Sequence, residues 1–427
     1  MLKDGVILDS GKLRDEIVSL CIETAMQDFY SKRLALQLRH YIRDGSYLCR
    51  LKTPSSPSSD HNKFLPNFQM DDGDIYDCKK IHSQPSKRNI SISKRKKQTS
   101  DKLRDSRIAE SGTESESCPP GSFPVLKATK AGPLNFSALQ DFASSRARSF
   151  LKSKAMKTLA IDNPADHEYA KGTVSGTYGG GEGTFSVWGP NIEDRSEMSL
   201  SQVWVVHAAQ HQIYMALEAG WMVNPSVFGD ARTRFFIFTT NDSYNTWLYN
   251  DNTKSPEDRG SNNLEFVRGR HGMPFGKRLR CQTINGNPSE IEITIIRNDE
   301  EDWEVLVDET LIGYWPKSNY QVNSANEVSW GGEIVNRRTR GRHTSTQMGS
   351  GHFSTDDLGT VAYIRKMALY DLDTDLYYPP EEDIGIIMNN GNCYDATYWD
   401  LRQADDDDDF GHYITMGGPG YHRRNCP

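Results

Sequence analysis

The stretch VSWGGEIVN, Val328 to Asn336, decides how the chain is read. It is strand-like, and residues two apart in a strand share a face. Val328, Trp330 and Ile334 then form an apolar face, and Ser329, Gly331, Glu333 and Val335 form the other. A strand that places small residues around an ionisable carboxylate leaves open space above that carboxylate. The stretch QIYMALEAGWMV, Gln212 to Val223, repeats the design. Ile213, Met215, Leu217, Ala219, Trp221 and Val223 make a core face, and Glu218 lies opposite with Tyr214, Ala216, Gly220 and Met222. In LSQVWVVHA, Val203 and Val205 face one way, and Gln202, Trp204 and Val206 the other.

If these polar faces are neighbours, Glu218 and Glu333 make a carboxylate pair over a floor of glycine, alanine and serine. Two close carboxylates resist double ionisation, so one keeps a proton while the other serves as base. Such a pair hydrolyses without metal or serine. The pattern leaves a second reading open, in which each glutamate lies on the solvated side of a sheet buried on one face.

Outward from these strands the pattern persists. GTVSGTYGGGEGTFSVWGPNI, RTRFFIFTTND, SEIEITIIRND, DWEVLVDETLIGYWP and TVAYIRKMALYDL also alternate between turn residues, which with the three stretches above makes eight strand-bearing segments. That density predicts an all-β sandwich or jelly roll. Gly179 to Gly181 are followed by no Lys-Ser/Thr, so they predict a flexible hairpin rather than a phosphate loop. The chain has 427 residues, long enough for two or three units, and its net charge of −8 argues against a whole-surface nucleic-acid binder. No run of about 18 apolar residues is present.

Upstream the character differs. Lys12 to Leu48 carries apolar residues at helical spacing, TPSSPSSD (Thr53 to Asp60) reads as a linker, and Gln84 to Ser117 is charged and devoid of aromatics. Its KRKK run, Lys94 to Lys97, reads as a solvated segment, a basic processing site or a nuclear signal. A polar helix is expected from Asn135 to Lys157. The DDDDD run, Asp405 to Asp409, reads as a solvated loop, with calcium as a weaker reading. The seven cysteines lack zinc-type spacing, and His207 and His211 have no intervening glutamate, so no metal site is expected. No apolar core of a signal peptide is visible in the first thirty residues.

The blocks LSQVWVV, ALEAGWMVNP, FGDARTRFFIFTTND, LIGYWP, WGGEIVN, TQMGSGHF and MGGPG, in that order, resemble the neprosin family of glutamic peptidases. DGDIYDCKKIHSQP (Asp72 to Pro85) and SCPPGSFPV (Ser117 to Val125) are similar to its activation propeptide. The resemblance implies an antiparallel β-sandwich of two strongly bent sheets over residues 156–427 and a propeptide over 54–155; the helical extension expected over 1–53, of unknown role, lies outside it. It implies catalytic glutamates at Glu218 and Glu333, no cofactor, cleavage of proline-containing peptides at acidic pH after propeptide release, and a secreted product. A disulfide between Cys393 and Cys426 matches a family pair, and Cys78 with Cys118 is a possible second. Gln202 is assigned as oxyanion donor, and Trp204 and Tyr214 as walls for a proline ring. Gly331 then floors a cleft beside Glu333, and Gly332 is expected to let the sheet bend. A two-glutamate glycosidase and an inactive extracellular binding module on the same fold remain as alternatives.

Overall fold

The structure is a computed structural model that describes residues 67–70, 72–80, 118–119, 121–155, 167–250, 264–269, 273–338, 341–378, 383–399 and 410–427. All of them belong to one unit, Leu65–Pro427. The expected N-terminal helices, the linker at Thr53, the KRKK run and the aspartate run lie outside the described residues.

Among the described residues there are three antiparallel sheets. The first is small, in the order β1 (Asn67–Gln69), β2 (Ile75–Lys80), β3 (Ser122–Thr129) and β4 (Gly132–Pro133). The second runs β10 (Trp247–Tyr249), β9 (Arg234–Thr240), β8 (Gln212–Val223), β7 (Ser199–Ala209), β15 (Ala325–Val335), β5 (His167–Tyr178) and β18 (Gly385–Met388). The third runs β11 (Val267–Arg268), β14 (Thr310–Trp315), β13 (Trp303–Val307), β12 (Glu290–Arg297), β6 (Gly180–Ser186), β16 (Ala362–Tyr370), β20 (Tyr413–Gly417) and β19 (Asp395–Trp399). A short strand, β17 (Leu376–Tyr377), pairs with β16.

The second and third sheets pack face to face as a β-sandwich, and the alternation explains why. Trp330, Val328 and Ile334 from β15, Trp221 and Leu217 from β8, and Ile293, Trp303 and Ile364 from the opposing sheet share one buried core. Two core indoles cross the sandwich: Trp330 Nε1 donates to the Glu182 carbonyl at 2.9 Å, and Trp221 Nε1 to that of Ser186 at 2.9 Å. Bulges in the β7–β8, β5–β15, β6–β16 and β13–β14 pairings bend the strands.

Two glycine expectations are corrected. The run at Gly179 opens a strand rather than a flexible hairpin, because β6 needs glycines to seat the neighbouring sheet. A Cβ on Gly181 would lie 2.7 Å from Val328, and one on Gly183 only 2.8 Å from Ile364. Gly332 makes room in the core rather than bending the sheet: a Cβ there would lie 2.6 Å from Met348 Sδ.

The polar face of the second sheet is covered by helix α1 (Phe136–Ala155) and the small first sheet. No glycine or proline interrupts α1, and Ala138, Leu139, Phe142, Ala143, Ser145 and Arg146 fall on one buried face at helical spacing. Tyr76 and Leu126 of the small sheet join the same apolar cluster, with Phe228 of the short helix α2 (Pro225–Phe228). A buried ion pair fixes this attachment, with Arg234 Nη1 2.5 Å and Nη2 3.0 Å from the carboxylate of Asp74. Disulfides join Cys78 to Cys118 and Cys393 to Cys426. Cys281 is a free, half-buried thiol against Thr233.

Candidate active site

Register builds the site. In the β15–β7 pairing Gly331 stands opposite Gln202 and Glu333 opposite Leu200; in β7–β8, Gln202 stands opposite Gly220 and Trp204 opposite Glu218. Gln202 is thus flanked by glycines on both sides. The β8 glycine is demanded by the backbone, since a Cβ on Gly220 would lie 2.1 Å from the Ser201 carbonyl and 2.5 Å from Gln202 Cβ. Glu218 and Glu333 project from the same face, fully buried beneath α1.

Both carboxylates meet on one cation, the Arg146 guanidinium of α1, which is 2% exposed. Nη2 lies 2.6 Å from Glu333 Oε2, Nε lies 3.2 Å from Glu333 Oε1, and Nη1 donates to Glu218 Oε2. Gln202 Nε2 donates to Glu218 Oε2 at 2.7 Å, and the Tyr244 hydroxyl to Glu218 Oε1 at 3.0 Å. On the other side, His167 Nδ1 lies 2.5 Å from Glu333 Oε1, and its Nε2 lies 2.7 Å from the Ser145 hydroxyl of α1. Each oxygen of the pair therefore has a partner, as buried charge requires.

The two glutamates are driven apart. Burial pushes Glu218 above the ordinary carboxylate range, with Arg146 pulling against it and Glu333 adding to it. Burial also opposes ionisation of Glu333, but Arg146 and then His167 outweigh it and hold that carboxyl low. Burial lowers His167, and with Glu333 ionised the contact requires the Nδ1–H form of the ring. Burial raises the phenols of Tyr169 and Tyr244 well above their usual value, so both stay protonated donors beside the pair.

Trp204 is buried on the same face, its ring edge-on to Tyr169 at 6.3 Å and beneath the Lys171 ammonium at 5.2 Å. Tyr214 is remote from the pair: it lies four residues along β8 from Glu218 and its ring meets His207. His207 Nδ1 bonds the Ser324 carbonyl, and His211 lies in the turn between β7 and β8. Cys393 and Cys426 are bonded to each other and offer no thiolate to neighbouring His343. The sequence reading did not single out Arg146, His167, Tyr169 or Tyr244. One signal was available, namely an arginine inside the small and apolar stripe of FASSRARSF.

Comparison with known families matches residues 195–419 to the family described as Neprosin. Among solved structures the chain is similar to Scytalido-glutamic peptidase with a peptide-based transition state analogue, at 8% identity and a TM-score of 0.31, covering 59% of this chain and 98% of that one. It is similar also to SCP-B, a member of the Eqolisin family of peptidases in complex with the tripeptide Ala-Ile-His, at 8% identity and a TM-score of 0.30, covering 59% and 96%. A β-porphyranase from the human gut bacterium Bacteroides plebeius matches at 9% identity and a TM-score of 0.20, covering 58% and 65%.

Proposed function

The chain belongs to the neprosin family and is a glutamic peptidase-type hydrolase; from that premise we propose that it is made as a latent endopeptidase, with Glu218 and Glu333 as its acid and base. The observation that carries the reading is the convergence of both glutamates on Arg146, supplied by the segment that precedes the sandwich. A guanidinium satisfies two buried carboxylates at once and excludes water and substrate from them. While α1 is docked the chain is latent.

In the mechanism proposed, Glu333 is the base, because His167 belongs to the sandwich and goes on favouring its ionised form after Arg146 departs. Glu333 takes a proton from water as the water oxygen attacks the scissile carbonyl carbon. Glu218, pushed up by burial, keeps its proton and hydrogen-bonds the forming oxyanion, with Gln202 Nε2 as a second, neutral donor. The carbon–nitrogen bond breaks as the leaving nitrogen takes a proton from Glu218. The proton held by Glu333 then passes to the ionised Glu218 and restores the pair, so one water is consumed per bond.

Acid favours both release and chemistry. As pH falls Glu218 protonates sooner than an ordinary glutamate, and Arg146 then loses one of its two counter-charges. Cleavage after proline in peptide or protein substrates is part of the proposal, with Trp204 and Tyr169 as flat walls for the ring. The two disulfides support an oxidising, secretory destination. The test is to acidify the purified chain, follow truncation between residues 152 and 167, and assay proline-containing peptides and a glucan. Absence of peptide cleavage between about pH 3 and 6, where carboxylates titrate, sinks the reading.

A further inference from the structure

Among the described residues, the groups that hold Arg146 are not, with one exception, on its own helix. Glu333 receives Nε and Nη2 side by side, Glu218 receives Nη1, and the Phe238 and Tyr244 rings lie 5.4 and 5.7 Å from Cζ. Gln202, Tyr244 and His167 in turn hold the carboxylate oxygens in place. Among the described side chains, only Phe142, at 4.4 Å, travels with α1. The pocket is set on β5, β15, β7, β8 and β9, which are hydrogen-bonded to one another in sequence, and on the loop after β9 that carries Tyr244. It therefore remains with the sandwich when the helix leaves.

Its geometry is selective. A guanidinium is planar, carries five donors in a fork and stacks against aromatic faces, whereas an ammonium has neither plane nor fork. A neutral urea has the plane but no charge to offset two buried carboxylates.

We propose that this pocket is a recognition site for arginine side chains in its own right. Once the chain is cut between α1 and β5, the severed helix, or another peptide that presents an arginine, re-enters the pocket and occupies the glutamate pair in trans. That occupancy is inhibition rests on the peptidase reading above; the binding itself does not.

The full-length Arg146→Ala chain, whose pocket is vacated, is titrated at neutral pH with N-ethylguanidinium, N-ethylammonium and N-ethylurea while its thermal midpoint is followed. N-ethylguanidinium raises the midpoint at concentrations at least about tenfold lower than either analogue, since only it restores the charged fork. Equal responses to the three overturn the proposal. Should this variant not fold, a wild-type chain carrying an engineered protease site between residues 156 and 166 is cut and exchanged against an excess of labelled peptide spanning 135–155. The peptide with arginine at position 146 binds at least about tenfold more tightly than the same peptide with citrulline there. Equal affinities overturn the proposal. Hydrolysis of a proline-containing peptide is measured on the same cut sample. Selective binding without hydrolysis leaves the arginine site standing and removes the peptidase reading, and hydrolysis without selectivity does the reverse.

Discussion

Replacing Arg146 by leucine tests the latch quantitatively. Leucine and arginine have similar helix propensities, and Leu139 and Phe142 still dock the helix with about 1.5–3 kcal/mol each. The substitution leaves two fully buried carboxylates without their cation. The docked state escapes that cost by taking up a proton. From an ordinary value of 4.5, protonating one glutamate at pH 7 costs about 3.5 kcal/mol, at roughly 1.4 kcal/mol per pH unit. Docking of α1 is therefore weakened by about 3.5 kcal/mol at pH 7, roughly three-hundredfold in population, and by little at pH 4.5. Hydrogen exchange of the α1 amides reads this directly: protection in the variant falls about three-hundredfold at pH 7 and converges with wild type on acidification. The uncut variant should also hydrolyse a fluorogenic proline-containing peptide at pH 5.5, with mass spectrometry confirming that it is intact. Unchanged protection at pH 7, or an equal loss at both pH values, refutes the reasoning.

Three further outcomes follow from the site and the scaffold. Gln202→Leu in the cut chain should lower kcat about 10²–10³-fold with KM little changed, because an oxyanion donor acts mainly in the transition state; a pure KM effect in steady-state assays points to a binding role instead. His167→Leu removes a group that depresses Glu333, so the base titrates higher and the acid limb of kcat/KM moves to higher pH; no movement, or movement downward, removes His167 from the account. Opening the Cys393–Cys426 bridge with paired serines releases a loop of 33 residues and should cost roughly 3–4 kcal/mol in denaturant unfolding, with a loss near zero showing that the C-terminal segment is held otherwise.

The sandwich was legible in the sequence because strand alternation writes each core face into the chain. QIYMALEAGWMV proved to be β8 from its first residue to its last, and all eight alternating segments carry strands. Short strands such as β10, β11 and β17 were not legible, since two or three residues cannot display a period. The same alternation placed Glu218, Glu333, Gln202 and Trp204 on the faces where they are found. Their convergence was not legible, because it depends on β7 lying between β8 and β15, a pairing that joins segments more than a hundred residues apart. Arg146 was hidden for a related reason. Its partners lie 72 and 187 residues away, so the arginine in FASSRARSF has neither carboxylate within its own segment to point to it. Tyr214 shared a face with Glu218 in the pattern, yet the bulge near Ala208 and the length of β8 carry it to His207. Tyr244, from the loop after β9, reaches Glu218 instead.

The most direct test of the central claim is peptide hydrolysis by the cut chain across pH 3 to 6, compared with its Glu218→Gln and Glu333→Gln variants at matched folding. A glutamate pair acting as acid and base predicts that each substitution removes about 10²–10⁴-fold of kcat while circular dichroism is unchanged. Full activity in either variant contradicts the account.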